Sequence, residues 1–358
     1  MEASDLRELA RPRAYPAVSL LAPLHHHQAA SAEDATRLRH LVEQARRRLA
    51  GELGDRGAAE LVERLAAAVA GIDLLDPPDG VAVFVAPGEA RVLQLPFPVP
   101  ERLEIDRRYA VRDLVNGLAR TPRYRVLALG EKPTRLLSGA GTLLTETETA
   151  GFPLFVEGTR GEPLASGGVA VHTSRPEEQY RHFFRQVDEA LGTAVRSDPL
   201  PLVVAGAERD LAYFDGVTSH HDVVIGTLPG NYEDATPHEL AIRALPLVSA
   251  HAASQRARVL AELVEAIGAG RGLVGIKPAW EAAHVGRARI LLVEEDLVYP
   301  ARVVDERLEP AGDAEAPDVI DDAADELVAT VLDAGGDVVV FGSGELGTHG
   351  PAALLLRY

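Results

Sequence analysis

The chain of 358 residues contains no cysteine, which excludes disulfides, a thiolate nucleophile and cysteine-ligated zinc or iron–sulfur centres. Lysine is nearly absent too. Lys132 and Lys277 are the only two, and neither sits in a Gly-x-x-x-x-Gly-Lys-Ser/Thr phosphate loop, which argues against a nucleoside triphosphatase. No Gly-x-Ser-x-Gly elbow of a serine hydrolase occurs, no Asp-x-Asp-x-Asp-Gly calcium loop, and no repeat of fixed period. Nowhere do about 18 apolar residues follow one another without interruption. Residues 1–13 alternate acids and arginines where a secretory leader would carry a basic start and an apolar run. The expectation is a cytoplasmic protein with no membrane partner. Basic charge is also short: 36 Lys and Arg against 54 Asp and Glu give a net charge of −18, so the chain cannot be a uniformly basic nucleic-acid cradle and no DNA partner is expected.

What is present is the composition of a folded protein, 46% hydrophobic and 25% charged, long enough for two or three cores. Three segments are read, 1–117, 118–245 and 246–358. Their nets are −3, from 15 basic and 18 acidic residues, then −5 from 12 and 17, and −10 from 9 and 19. Within the last, residues 294–326 hold 13 acids against Arg302 and Arg307. The centre of that stretch, 305–318, is poor in aromatic and β-branched residues; it reads as a solvated acidic loop, with cation binding as the sharper alternative. The opposite sign clusters as well. Arg37, Arg39, Arg46, Arg47 and Arg48 have Glu43 as the one acid among them, on a segment whose Ala35, Leu38, Leu41, Ala45 and Leu49 recur at helical spacing after a Ser31 cap. These arginines are either a solvating helix face or a phosphate-contacting surface, since guanidinium forks suit phosphate oxygens.

Strands are expected at 17–21, 81–86 and 91–95 around helices from Ser31 and over 58–70, with Pro96, Pro98 and Pro100 interrupting regular structure before a short amphipathic stretch, 109–118. A hairpin of 125–129 and 134–137 opens the second segment, followed by helix 176–191, strand 202–205, helix 208–214 and strand 222–225. Thr236-Pro237-His238-Glu239 is a capping box opening a long helix to about 269 that Pro246 kinks or divides. The last segment alternates strand 272–276, helix 278–285, strands 288–294 and 301–304, the acidic loop, helix 321–334 and strand 337–341, with 352–357 closing the sheet. That order predicts an α/β sandwich with a largely parallel sheet.

Several motifs fail on context. Gly342-Ser343-Gly344-Glu345-Leu346-Gly347 fits a dinucleotide fingerprint, but too few residues follow for the helix and second strand it needs. His25-His26-His27 and His220-His221 lack partners at metal-ligating spacing and read as loop histidines, so no metal and no cofactor are expected. Gly167-Gly168, after Ser166, is either a flexible tip or a loop built to enter a narrow site.

In element order, however, the chain resembles the bacterial branch of the archaeal and eukaryotic peptide-chain release factor superfamily, which includes Pelota-type proteins. The residues that carry the likeness are Val18-Ser19-Leu20-Leu21-Ala22-Pro23-Leu24-His25 with the arginine-rich helix, Arg125-Val126-Leu127-Ala128-Leu129 with Thr134-Arg135-Leu136-Leu137, and Gly167-Gly168. Also alike are Leu202-Val203-Val204-Ala205-Gly206, Ile290-Leu291-Leu292-Val293-Glu294-Glu295-Asp296 and the ending from Gly350 to Tyr358. The resemblance implies a three-domain α/β chain: a middle domain of ribonuclease-H-like topology and a C-terminal αβα sandwich. It also implies a Gly-Gly-Gln loop that coordinates the water hydrolysing peptidyl-tRNA. Here Val169 follows Gly167-Gly168 and has no side-chain amide, so no catalytic residue is assigned.

The function this predicts is ribosome-associated, in rescue, stress response or hibernation and without peptidyl-tRNA hydrolysis. Arg37, Arg39, Arg46, Arg47 and Arg48 would meet rRNA phosphates; Gly167, Gly168, Val169 and His172 would form the functional loop; the acidic last segment would face a translational GTPase. Two other readings stand beside it. One is a small-molecule enzyme or sensor reusing the fold, with His172, His25 and the acidic loop as its residues; the other is an acidic protein–protein adaptor.

Overall fold

The computed structural model describes residues 3–25, 28–75, 77–130, 133–148, 150–155, 176–305, 307–312 and 319–358. They form a mixed α/β protein with several sheets, in two compact units: Met1–Arg120 with Arg256–Tyr358, and Thr121–Gln255.

The first unit begins with α1 (Ala3–Leu9), β1 (Ala17–Pro23), α2 (Gln28–Ala70), β2 (Gly80–Ala86), β3 (Glu89–Leu95), β4 (Arg102–Asp106) and α3 (Arg112–Arg120). Its sheet is antiparallel throughout, in the order β3-β2-β1-β4. β1 and β2 show no polar alternation because both of their faces are covered, so Val18, Leu20, Val81 and Val83 pack under α2 while Leu21, Ala82 and Phe84 face a second core. Ser19 is the polar exception: fully buried, it accepts the Ala110 N–H at 2.9 Å. α2 is two helices in succession, as the sequence suggested, parted at Gly54, whose φ of +72° is left-handed and non-helical; the first begins at Gln28, ahead of the expected Ser31 cap. The three prolines interrupt regular structure between β3 and β4, as expected, and β4 is a strand the sequence reading did not include. It is an edge strand, and Pro96, Pro98 and Pro100 lie before its first residue, where their missing N–H groups cost the ladder nothing.

Gly117 on α3 lies against Phe97: a Cβ there would stand 2.1 Å from the ring. Gly117→Ala would raise intrinsic helix propensity by roughly 1 kcal/mol at an open site. Here the overlap decides the sign, and a net loss of about 1–3 kcal/mol in urea unfolding is expected.

The second unit holds β5 (Arg123–Ala128), β6 (Arg135–Ala140), β7 (Leu143–Glu146), α4 (Pro176–Ser197), β8 (Leu202–Gly206), α5 (Glu208–Asp215), β9 (Val224–Pro229) and the start of α6 (Pro237–Gly268). The sheet order is β7-β6-β5-β8-β9, with the hairpin strands antiparallel and β5, β8 and β9 parallel. Period-two alternation divides the side chains. Tyr124, Val126 and Ala128 pack beneath Leu240, Ala241 and Ala244 of α6, while Leu127 and Leu129 pack against Phe183, Phe184 and Val187 of α4. α6 runs unbroken through Pro246, because it is seated on the sheet by Leu240 and Ala244 before the proline and Val248 after it.

The remainder of the first unit contains the end of α6, β10 (Gly272–Val274), α7 (Ile276–His284), β11 (Ala288–Glu294), β12 (Ala301–Val304), β13 (Arg307–Pro310), α8 (Ala323–Asp333), β14 (Asp337–Phe341) and β15 (Ala352–Leu356). Helices cover both faces of its main sheet, α7 and α8 on one and Leu263 and Ala266 of α6 on the other. The expectation of a largely parallel sheet is corrected. The order is β10-β15-β11-β14, and only β11 with β14 is parallel. β15, five fully buried apolar residues, is inserted antiparallel at the centre, where it buries more than any edge position allows. Part of the expected acidic loop is also structured: β12 and β13 form an antiparallel hairpin. Residues 313–318 lie outside the described ones.

Candidate nucleic-acid interface

Helix α2 buries Leu38, Leu41, Ala45 and Leu49 against the sheet, so its arginines are held on the remaining faces. They are not equivalent. Arg37 is bound to Asp34 at 2.5 Å and Glu101 at 3.3 Å, and Arg46 forks onto both oxygens of Glu43 at 2.6 and 2.9 Å. Arg39 turns back on its own helix, donating to the Ala35 carbonyl at 3.1 Å and the Thr36 hydroxyl at 3.2 Å. Arg48 donates to the Leu103 carbonyl at 3.3 Å and lies 3.6 Å from Asp321. Arg47 is exposed and makes no hydrogen bond or ion pair among the described residues.

Arg47 and Arg48 line a groove of about 350 Å³ between α2 and residues 101–103, with Gln44, Leu41, Glu101, Arg102 and Leu103 as its other walls. Three guanidiniums and an amide among its lining side chains form a donor-rich surface suited to phosphate oxygens. The sequence reading missed Arg102 and Gln44. Arg102 was legible in the charged and apolar alternation Arg102-Leu103-Glu104-Ile105-Asp106, the period of a half-buried strand.

Behind the groove, Arg102 joins a buried ionic network. It contacts Glu104 at 2.7 Å, Asp113 at 3.0 Å, Asp325 at 3.3 Å and Asp322 at 3.5 Å, while Arg112 meets Asp322 at 2.9 Å. Asp322 caps α8 through the Ala324 N–H, and Asp325 accepts the Val111 and Arg112 N–H groups, both at 3.1 Å. Acids of the 294–326 stretch therefore turn inward. Burial would lower Arg102, but Glu104, Asp325 and Asp113 outweigh it and hold the guanidinium above its ordinary range. Burial and the neighbouring Asp325 push Glu104 well above the usual carboxylate range. Asp325 is raised by burial, an effect that Arg102 reduces. A cavity of about 490 Å³ opens beside this network, lined among others by Glu104, Asp106, Arg107, Arg108, Asp325 and Glu326.

His25 serves the helix start. Its backbone N–H and its ring contact Asp34 at 2.9 and 3.0 Å. Burial alone would raise Asp34, but these hydrogen bonds and the one from Arg37 leave its carboxyl below the ordinary range. His220 faces Asp188 at 3.9 Å, and among the described residues no group of three His, Asp or Glu is placed to hold a metal ion. Gly167, Gly168, Val169 and His172 lie outside the described residues, as do His26 and His27. No helix among the described residues is long and apolar enough to cross a membrane.

Residues 123–287 match the family model described as bacterial archaeo-eukaryotic release factor family 3. No curated protein matches the chain. Among solved structures, the chain is similar to the archaeal translation termination factor aRF1, at 15% identity over 100% of this chain and 99% of that one, with a TM-score of 0.23. A second is Dom34 of S. cerevisiae, a translation termination-like factor involved in RNA quality control and interacting with Hbs1, at 10% identity over 78% and 73% with a TM-score of 0.43. A third is a structure of ribosome-bound archaeal Pelota and ABCE1, at 13% identity over 100% and 94% with a TM-score of 0.44.

Proposed function

We propose, from the match of residues 123–287 to the model of bacterial archaeo-eukaryotic release factor family 3, that the chain acts in translation as a ribosome-binding factor without peptidyl-tRNA hydrolase activity. The family match over residues 123–287 carries this reading. The α2 groove adds to it a surface of the right chemistry for rRNA: Arg47 and Arg48 present guanidiniums to the outside of a protein whose net charge is −18. Val169 stands where the resemblance calls for glutamine, and an isopropyl group can neither donate to nor orient a water. Rescue of stalled ribosomes, stress response or hibernation are the roles open to such a factor, in the cytoplasm, with a translational GTPase as the protein partner of the acidic last segment.

Sedimentation of the full chain with 70S ribosomes through a salt series tests this. Binding should weaken with salt, and Arg47→Ala with Arg48→Ala should lower the log–log salt slope by roughly 1 for each phosphate that the variant no longer neutralises. Absence of ribosome binding at every salt concentration, with ribosomes from both growing and starved cells, would sink the proposal. In the same preparations no peptide release above background is expected from charged ribosomes; release at a factor-dependent rate would overturn the noncatalytic half alone.

A further inference from the structure

Two of the groove cations take part of their counter-charge from a distant part of the chain, Arg102 beside its nearer partners Glu104 and Asp113. Of its three arginines, Arg48 has Asp321 at 3.6 Å, and Arg102 has Asp322 and Asp325 at 3.5 and 3.3 Å, all three acids within the 294–326 stretch. These carboxylates differ in what else they do. Asp322 caps α8, and Asp325 binds two backbone N–H groups, so both are needed by the fold. Asp321 makes no other hydrogen bond or ion pair among the described residues. Its side chain is 45% exposed and that of Arg48, which lines the groove, is 42% exposed, so the pair lies in water, where it can open and re-form. Exposed ion pairs of this kind contribute little to folding. A carboxylate in that position does, however, occupy a guanidinium that a phosphate would need and repels the phosphate that approaches Arg47.

We propose that Asp321 is an autoinhibitory competitor at the α2 groove, holding Arg48 against a carboxylate until a polyanion displaces it. This rests on the reading of α2 as the RNA-contacting surface. It makes the two charge poles of the sequence parts of one device: the acidic stretch sets the threshold at which the arginine helix accepts phosphate. The threshold favours dense phosphate arrays such as structured rRNA over isolated phosphates, because an array engages Arg47 and Arg48 together and offsets the lost ion pair with more than one contact.

The test uses the full chain, a fluorescein-labelled single-stranded RNA and 70S ribosomes as probes, and the variants Asp321→Asn, Asp321→Ser, Arg47→Ala/Arg48→Ala and, as a control of equal charge change, Asp337→Asn in the exposed Arg7 pair. Both Asp321 variants should melt like the parent and bind RNA and ribosomes about 2- to 5-fold more tightly at low salt, the range of an exposed ion pair. The gain should shrink as salt screens it, be absent in Asp337→Asn, and vanish when Arg47 and Arg48 are also replaced. If the parent binds, the double arginine variant weakens binding, and neither Asp321 variant gains over Asp337→Asn, the inference falls and the reading of the groove stands. If no variant binds either probe, both fall.

Discussion

Replacing Arg102 with methionine is expected to destabilise the first unit by about 3–5 kcal/mol, the cost typical of removing one partner from a buried ion pair. Arg102 is the shared cation of Glu104, Asp113, Asp322 and Asp325, and its own side chain is 19% exposed. Methionine keeps the volume and removes the charge, leaving Arg112 as the one buried guanidinium beside four carboxyls. Protonation then becomes the only relief available to several of them. The loss should therefore be larger at pH 8 than at pH 5, where the raised carboxyls are already protonated in part. Urea unfolding at the two pH values measures it; an equal loss at both would show that Arg102 contributes through packing and not through charge.

Local pattern made much of this fold legible. The capping box at Thr236 forms as read: Glu239 accepts the Thr236 N–H at 2.8 Å and its own N–H donates to the Thr236 hydroxyl at 3.2 Å. β1 and β2 were legible as apolar runs, and the β5–β6 hairpin as the two runs 125–129 and 134–137, because each signal lies within about ten residues. Pairing across the chain was not. The partners of Arg102 in α8 and its cap lie 220 and 223 positions away, and nothing in a run of acids says which of them will turn inward. Net charge gave the sign of the 294–326 stretch, but Glu294, Asp322 and Asp325 are buried and each is used by the fold. For the candidate site the limit was similar. Helical spacing put five arginines on the outside of α2, and it allows Glu43 to reach either Arg46 at i+3 or Arg47 at i+4; the structure pairs it with Arg46 and leaves Arg47 without such a partner among the described residues.

Glu326→Gln should raise stability at pH 8 and leave it nearly unchanged at pH 4.5. Burial, with Asp106 next in weight, pushes the Glu326 carboxyl up from 4.5 to about 7, Arg108 and Arg107 offsetting part of the rise. The folded protein therefore binds this proton more tightly than the unfolded chain does. Its contribution to stability is complete below about pH 4.5 and is lost as pH rises through about 7, a change on the order of 3 kcal/mol for a shift of this size. Asp325, raised to about 6, adds loss in the same direction. Glutamine stays neutral throughout, so the variant removes the Glu326 share of the pH slope and keeps that of Asp325 and Glu104. The parent should accordingly lose stability between pH 5 and 8 more steeply than the variant, against the usual trend for proteins whose carboxylates are held by salt bridges. Parallel unfolding curves for the two proteins across that range would mean that the Glu326 carboxyl is solvated in the folded state, and that the cavity beside it admits enough water to carry the charge.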